Sequence, residues 1–521
     1  MSNLKDLETA IADQRKEWAR LSLSVLFLIG VFAYVWIWQQ TGSGHMLLCI
    51  AAVIGAYMAM NIGANDVANN VGPAVGSKAV SLLGAICIAA VFEAMGAIVA
   101  GGDVVSTIKK GIINPEEIKE TSHFIWLMVS ALLAGALWLN FATFIGAPVS
   151  TTHSIVGGVL GAGIAAGGLA IANWNKMAAI AASWVISPVL GGLIAAAFLY
   201  FIKRKILYQS DTLAAAKRYV PLLLAVMAWA FSTYLMLKGL KKIWKLDFTT
   251  AALLGLAVAA MIFAMVRPMI AKKSAMLTNN RKGVNALFTL PLIFAAALLS
   301  FAHGANDVAN AVGPLAAIYD SITNLGISTK ASIPMWVMLV GALGISLGLL
   351  LFGPKLIKTV GSEITELDKT RAFCVAMAAA ITVIIASQLG LPVSSTHIAV
   401  GGIFGVGFLR EFLKTRYATQ LHEILDQHEG EERERLSKFL ENFQAASVEE
   451  MKELLVKAKE NKKELGLKKK DRKALKRMYS EKLVQRSALK KIVAAWVITV
   501  PVSGGLAGGL FLLLHQIPIL D

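Results

Sequence analysis

The chain has 521 residues, 56% hydrophobic and 16% charged, with a mean hydropathy of +0.64. A soluble domain carries about a quarter charged residues, so a soluble globular fold is excluded and an all-α polytopic membrane protein is expected. The formal charge of +17 would suit nucleic acid, but the basic residues gather between apolar windows, which excludes that partner and points to loops at a membrane surface.

In chain order, residues 1–20 are charged and read as a cytosolic or interfacial segment. Residues 21–45 form a first transmembrane helix, with an apolar run too long for a cleavable signal peptide. Residues 46–202 make repeat one. Residues 203–285 make a connecting helical hairpin whose basic loops hold Lys203, Arg204, Lys205, Lys217 and Arg218, then Arg267, Lys272, Lys273, Arg281 and Lys282; the positive-inside rule sets both loops in the cytoplasm. Repeat two occupies 286–410, is interrupted by a charged, helix-forming cytoplasmic insertion at 411–490, and ends in a last transmembrane helix at 491–521. The basic stretch 468–480 of the insertion faces water or anionic headgroups. About 12 transmembrane helices result. Cys49, Cys87 and Cys374 lie in or beside apolar segments without metal-ligand spacing and read as packing residues.

The repeats are defined by two polar blocks. GANDVANNVGP at 63–73 recurs as GANDVANAVGP 241 residues on, matching at 10 of 11 positions; PVSTTHSIVGG at 148–158 recurs as PVSSTHIAVGG 244 residues on, matching at 8 of 11. A third echo, WVISPVLGG at 184–192, recurs as WVITVPVSGG at 496–505. Carboxylates and hydroxyls are costly in apolar sequence, and duplicated polar interruptions point to a transporter's binding site. An odd number of spans between the copies makes the repeats inverted.

Asn65, Asp66, Asn306 and Asp307 offer hard oxygens suited to small cations, with Asn69 and Asn310 three residues beyond the acids. The flanking glycines and the Gly-Pro pairs predict a broken or re-entrant helix there. In the second block, Ser150, Thr151 and Thr152, with Ser394, Ser395 and Thr396, open helices whose free N–H groups and hydroxyls suit a tetrahedral oxyanion; N-capping alone would need only one serine. His153 and His397 read equally as ligands or as buried structural histidines. His303 faces Ile62 in the other copy, so symmetry lends it no support. Glu93, an intramembrane carboxylate, reads as functional.

These residues resemble the PiT family of inorganic phosphate transporters: GANDVANNVGPAVGSKAVS, FEAMGAI and TIKKGII in the first half, FAHGANDVANAVGP and ASQLGLPVSSTH in the second. The resemblance leaves out residues 1–20 and 411–490. It implies secondary active phosphate uptake, with substrate between the repeats and the twin Asn/Asp residues at the coupling cations. Asn65, where the proton-coupled branch more often has His, resembles the sodium-coupled branch. Sodium-coupled relatives often carry a second glutamate ahead of the second PVSSTH block; that position is Ala376 here, which argues against a symmetric role for Glu93.

The expected function is therefore a symporter importing inorganic phosphate with a cation, sodium favoured and protons the alternative, across a bacterial inner membrane by alternating access. Phosphate contacts Ser150, Thr151, Thr152, Ser394, Ser395, Thr396, Asn69 and Asn310; sodium occupies the site of Asn65, Asp66, Asn306 and Asp307. No cofactor is expected beyond the transported ion, and the partners are phosphate, sodium, the lipid bilayer and a second copy of the chain as a homodimer. Rivals are a proton-coupled phosphate or metal-phosphate symporter, a sulfate permease and a passive anion channel. Sulfate lacks the O–H that a carboxylate could accept. An intramembrane hydrolase using Ser and His lacks a nucleophile elbow.

Overall fold

A computed structural model describes residues 2–42, 44–118, 120–147, 149–239, 246–324, 326, 333–363, 367–413, 430–445, 454 and 486–517. They are helical throughout: α1 Ser2–Trp38, α2 His45–Gly76, α3 Leu82–Ala100, α4 Gly102–Lys110, α5 Thr121–Phe144, α6 Thr151–Gly167, α7 Trp174–Ile202, α8 Thr212–Lys238, α9 Phe248–Ser274, α10 Arg281–Leu287, α11 Thr289–Asp307, α12 Ala309–Thr323, α13 Met335–Glu363, α14 Lys369–Gln388, α15 Ser395–Leu413, α16 Gly430–Ala445 and α17 Arg486–Leu514. Eleven described helices or helix pairs are long and apolar enough to cross a membrane. The apolar stretches near 152–172 and 396–410 form α6 and α15. Each instead turns back from the helix before it, so α5–α6 and α14–α15 are hairpins whose tips carry the second polar block.

The first span differs from its expected bounds. The helix starts at Ser2 and its apolar part at Glu17, so no break separates residues 1–20 from the span. Of the 411–490 insertion, only α16, Leu454 and the flanking residues lie within the described structure; the helix at 430–445 agrees with the expected helical composition, and the basic stretch 468–480 lies outside it.

The expected helix break at the GAND blocks is absent in the first copy. α2 continues through Gly63, Asp66 and Pro73, and α11 and α12 are interrupted only at Val308. The glycines serve close packing instead. A Cβ on Gly63 would stand 1.9 Å from the Ile345 carbonyl oxygen of α13, and one on Gly304 would stand 2.1 Å from the Glu93 carbonyl oxygen of α3. Without a side chain the backbones touch, the usual device for helix association in lipid. Gly63→Ala should therefore force α2 from α13, and we expect loss of the monodisperse peak in detergent size-exclusion chromatography.

This contact also fixes the internal symmetry. The pairs Gly63·Ile345 and Gly304·Glu93, with Gly96 against Phe301 and Gly348 against Met60, relate α3 to α13 by a constant 252 residues. α14 corresponds to α5. The position equivalent to Glu93 is therefore Ile345, not Ala376, which sits on a different helix. The repeats also exchange arms: α7 of repeat one packs on α15, and α17 of repeat two packs on α6.

Helix starts are capped where the sequence offers Ser, Asp or Asn: Ser81, Asn173, Asp211, Asp247, Asn280 and Asp368 each accept an N–H two or three residues on. Burial disfavours the charge on Asp368, but the Arg371 guanidinium 2.8 Å away and the cap bond to the Arg371 N–H outweigh it, and the carboxyl is held below the ordinary aspartate range. A depressed folded value means the contribution is full above the unfolded pKa and disappears as pH falls through the folded one. Asp368→Asn keeps a capping oxygen but loses the charge paired with Arg371, so it should cost at most about 1 kcal/mol at neutral pH. The difference in melting temperature from wild type should begin to close below about pH 4, the ordinary aspartate value, and be gone once the pH is below the depressed folded value.

Candidate substrate and cation site

The four polar blocks meet between the hairpin tips. Ser150 and Ser394 are N-caps: their Oγ atoms accept from the N–H of His153 at 3.1 Å and His397 at 3.3 Å. Sequence grouped them with the substrate hydroxyls; the geometry uses them to start α6 and α15. The next two hydroxyls point at the acids. Thr151 Oγ1 donates to Asp66 Oδ2 at 2.9 Å and Ser395 Oγ to Asp307 Oδ2 at 3.1 Å, each within its own repeat. Thr152 Oγ1 reaches Asp307 Oδ1 at 3.2 Å, with the Val393 carbonyl oxygen also in reach at 2.9 Å, and Thr396 Oγ1 reaches Asp66 Oδ1 at 3.0 Å, each across the repeats. These four bonds form two symmetric pairs, and every residue in them is buried.

Asn69 Nδ2 donates to Thr396 Oγ1 at 2.8 Å, and Asn310 Nδ2 to Thr151 and Thr152 Oγ1 at 3.2 Å each. The expected substrate hydroxyls and the expected cation acids thus form one interleaved cluster, not two separate sites. No Lys or Arg is among the residues these bonds join.

Asn65 and Asn306 have another task. Asn65 Nδ2 donates to Thr143 Oγ1 at 3.0 Å and the Ala147 carbonyl at 3.4 Å, while its Oδ1 accepts from the Val149 N–H at 3.3 Å. Asn306 repeats the pattern with Ser387 at 2.9 Å, Leu391 at 3.2 Å and Val393 at 3.3 Å. Each amide pins the loop that leads into its own hairpin's hydroxyls. The contacts made by Asn65 and Asn306 are structural, so the expected pairing of each with its neighbouring acid as a cation ligand has no support in this geometry.

His303, which symmetry left unsupported, stands at the centre. Its Nε2 is 2.8 Å from Asp307 Oδ2 and 3.6 Å from Asp66 Oδ2, and its Nδ1 is 3.3 Å from Glu93 Oε1. Asn70 Nδ2 donates to the same Glu93 oxygen at 2.7 Å. Asn70, Glu93 and His303 therefore link to both acids from one side. Their equivalents in the other repeat, Ala311, Ile345 and Ile62, are buried and apolar. Asn70 escaped the sequence reading although it is the one mismatch in the GAND block, and that mismatch was the available signal. His153 and His397 lie ring against ring at 4.5 Å, with Trp184 3.8 Å from His153.

One oxygen or nitrogen from each of Asp66, His303 and Asp307 lies within 4.8 Å of the others, the spacing a cation can bridge. Asn310 Oδ1 and Glu93 Oε2 are buried acceptors with no hydrogen-bond partner among the described residues, and buried acceptors without donors suit a hard cation.

Residues 62–507 match the model of the phosphate transporter family. A protein of Helicobacter pylori strain J99 named "Putative phosphate permease" is 55% identical over 98% of each chain. A Pyrococcus abyssi protein of the same description is 38% identical over 70% of this chain and 89% of its own. A solved structure described as "The sodium-dependent phosphate transporter" superposes with a TM-score of 0.74 at 31% identity, covering 90% of this chain and 99% of that one. By the span of that match and the similarity of these relatives, the chain belongs to the phosphate transporter family.

Proposed function

We propose that this phosphate transporter is a symporter that binds phosphate among Thr151, Thr152, Ser395, Thr396, Asn69 and Asn310 and takes up cations at Asp66 and Asp307, sodium being the favoured ion. The observation that carries the reading is that the hydroxyls available to an oxyanion already donate to two buried aspartates. An anion cannot enter a cluster of uncompensated carboxylates, because like charges in a low-dielectric site repel strongly. Cations must therefore accompany phosphate, neutralising Asp66 and Asp307 and freeing the hydroxyls to turn toward it. Moving a dianion inward against a negative-inside potential costs about 2.3 kcal/mol per charge per 100 mV, so coupling to two or more cations also drives net uptake. Sodium is favoured because the solved structure that superposes on this chain is that of a sodium-dependent phosphate transporter.

Inverted repeats fit this reading. From the start of α2 to the start of α11 the chain crosses five times, through α2, α3, α7, α8 and α9, while the α5–α6 hairpin returns to its own side, and an odd number of crossings opposes the copies. Rocking one repeat against the other would expose the shared cluster alternately to each side. The test is uptake of labelled phosphate into proteoliposomes under separately imposed sodium and proton gradients. Accumulation that follows only sodium supports the proposal; accumulation driven by protons alone, or uptake indifferent to both, overturns sodium symport.

A further inference from the structure

The stretch TIKKGII at 107–113 begins on α4, a short helix of repeat one, and its first residue, Thr107, is buried. The hydroxyl of Thr107 is directed at the hairpin tip of the other repeat, where α14 ends at Gln388 and α15 starts at Ser395. Gly390 has φ +63, a left-handed turn that stops α14. Pro392 holds Leu391 out of the helical region. Residues 390–393 therefore join the two helices through carbonyl oxygens that neither helix can satisfy. Inside a membrane protein such groups need donors from elsewhere in the fold.

Each of the four finds a side chain. Thr107 Oγ1 of α4 donates to the Gly390 carbonyl at 2.7 Å, and Asn306 Nδ2 of α11 to the Leu391 carbonyl at 3.2 Å. Trp184 Nε1 of α7 donates to the Pro392 carbonyl at 3.1 Å, and Thr152 Oγ1 of α6 stands 2.9 Å from the Val393 carbonyl oxygen. Three of these donors belong to repeat one, whereas the loop and Asn306 belong to repeat two.

The α4 contact is itself anchored. Asp103, one turn before Thr107, pairs with Lys238 at the end of α8. A Cβ on Gly390 would stand 3.4 Å from Thr107 Oγ1 and 3.6 Å from the Asp103 carbonyl oxygen, so α4 and the tip are in direct contact. The loop leads straight into Ser395 and Thr396, whose hydroxyls face Asp307 and Asp66.

We propose that Thr107 and Trp184 are positioning residues for phosphate transport. From repeat one they latch the loop 390–393 of repeat two, and so set Ser395 and Thr396 in place for the substrate. This rests on the reading that those two hydroxyls meet phosphate.

The test combines uptake of labelled phosphate into proteoliposomes with hydrogen–deuterium exchange of the purified full chain. Thr107→Val keeps the shape and removes the donor. Trp184→Phe keeps a ring beside His153 and removes the indole N–H. Each should speed amide exchange in the peptide spanning 389–394 by about threefold or more. Each should also raise KM for phosphate about three- to tenfold, the range that loss of one hydrogen bond gives, with kcat within about twofold of wild type. Thr107→Ser restores the hydroxyl and should return both quantities close to wild type. Thr396→Val separates the latch from the reading beneath it. Unchanged KM in Thr396→Val overturns the phosphate reading and the proposal with it. A raised KM there, with KM unchanged in both Thr107→Val and Trp184→Phe, overturns the latch alone. Unchanged exchange at the tip, or a Thr107→Ser variant no better than Thr107→Val, also overturns the latch.

Discussion

Asp66→Asn and Asp307→Asn are each expected to lower the kcat/KM for phosphate uptake by about 100-fold or more, while the protein remains folded. Each aspartate accepts two hydroxyl bonds, one from its own repeat and one from the other, and lies within 3.6 Å of the His303 imidazole. Asparagine keeps the volume and one acceptor, but its NH2 faces a hydroxyl that was donating. Breaking one partner of a buried charged pair costs about 3–5 kcal/mol, and each 1.4 kcal/mol is about tenfold, hence the magnitude. Initial rates in proteoliposomes at matched protein density measure it, with size-exclusion chromatography as the folding control. Ser150→Ala is the contrast. It removes a cap worth about 1 kcal/mol and no bond to either acid, so it should lower the melting temperature and leave kcat/KM within a few fold. If the aspartate variants transport at the wild-type rate, neither carboxylate is at the cation site.

Much of the site was legible because the chain states it twice. The acids, the hydroxyls after Ser150 and Ser394, and Asn69 and Asn310 were all named by the duplicated blocks, and the structure brings them together. What duplication could not convey was direction. A hydroxyl at the start of a helix is equally a cap or a ligand by sequence, and only the fold shows Ser150 turned back to the His153 N–H while Thr151 and Thr152 turn to the acids. An asparagine beside an aspartate is equally a cation ligand or a loop anchor by sequence, and only the fold shows Asn65 bonded to Thr143 and to the Val149 N–H of the loop before α6. The glycines were read as breaks because a glycine that admits a turn and one that admits a neighbouring backbone look alike until the neighbour is known. Reasoning from symmetry also hid the least symmetric part. His303 lost support for lacking a counterpart, yet its asymmetry is shared by Asn70 and Glu93, and the three side chains touch.

That shared asymmetry separates a structural network from a transporting one. Glu93→Ile alone leaves the Asn70 amide buried without the carboxylate oxygen it donates to at 2.7 Å, and an unpaired buried polar group costs about 1–3 kcal/mol, so this variant should be clearly less stable than wild type. The triple variant Asn70→Ala/Glu93→Ile/His303→Ile places on this side the residue types that Ala311, Ile345 and Ile62 already pack on the other. Replacing mutual partners by apolar groups of similar shape is close to neutral, so the triple variant should recover the part of the stability that Glu93→Ile loses through Asn70, although Asp66 and Asp307 lose the imidazole they share. Uptake should not recover with it. Without His303 the two aspartates lose the imidazole they share at 2.8 and 3.6 Å, and without Glu93 the buried acceptor Oε2 is gone from the cluster's edge. We expect kcat/KM for phosphate at least tenfold below wild type, with the half-saturating sodium concentration raised. Melting temperature and sodium-dependent uptake measured on the same preparations decide the matter. A triple variant that is stable and transports like wild type would make the network mere packing, whereas one that is stable and inactive assigns Asn70, Glu93 and His303 to the cation side of the cycle.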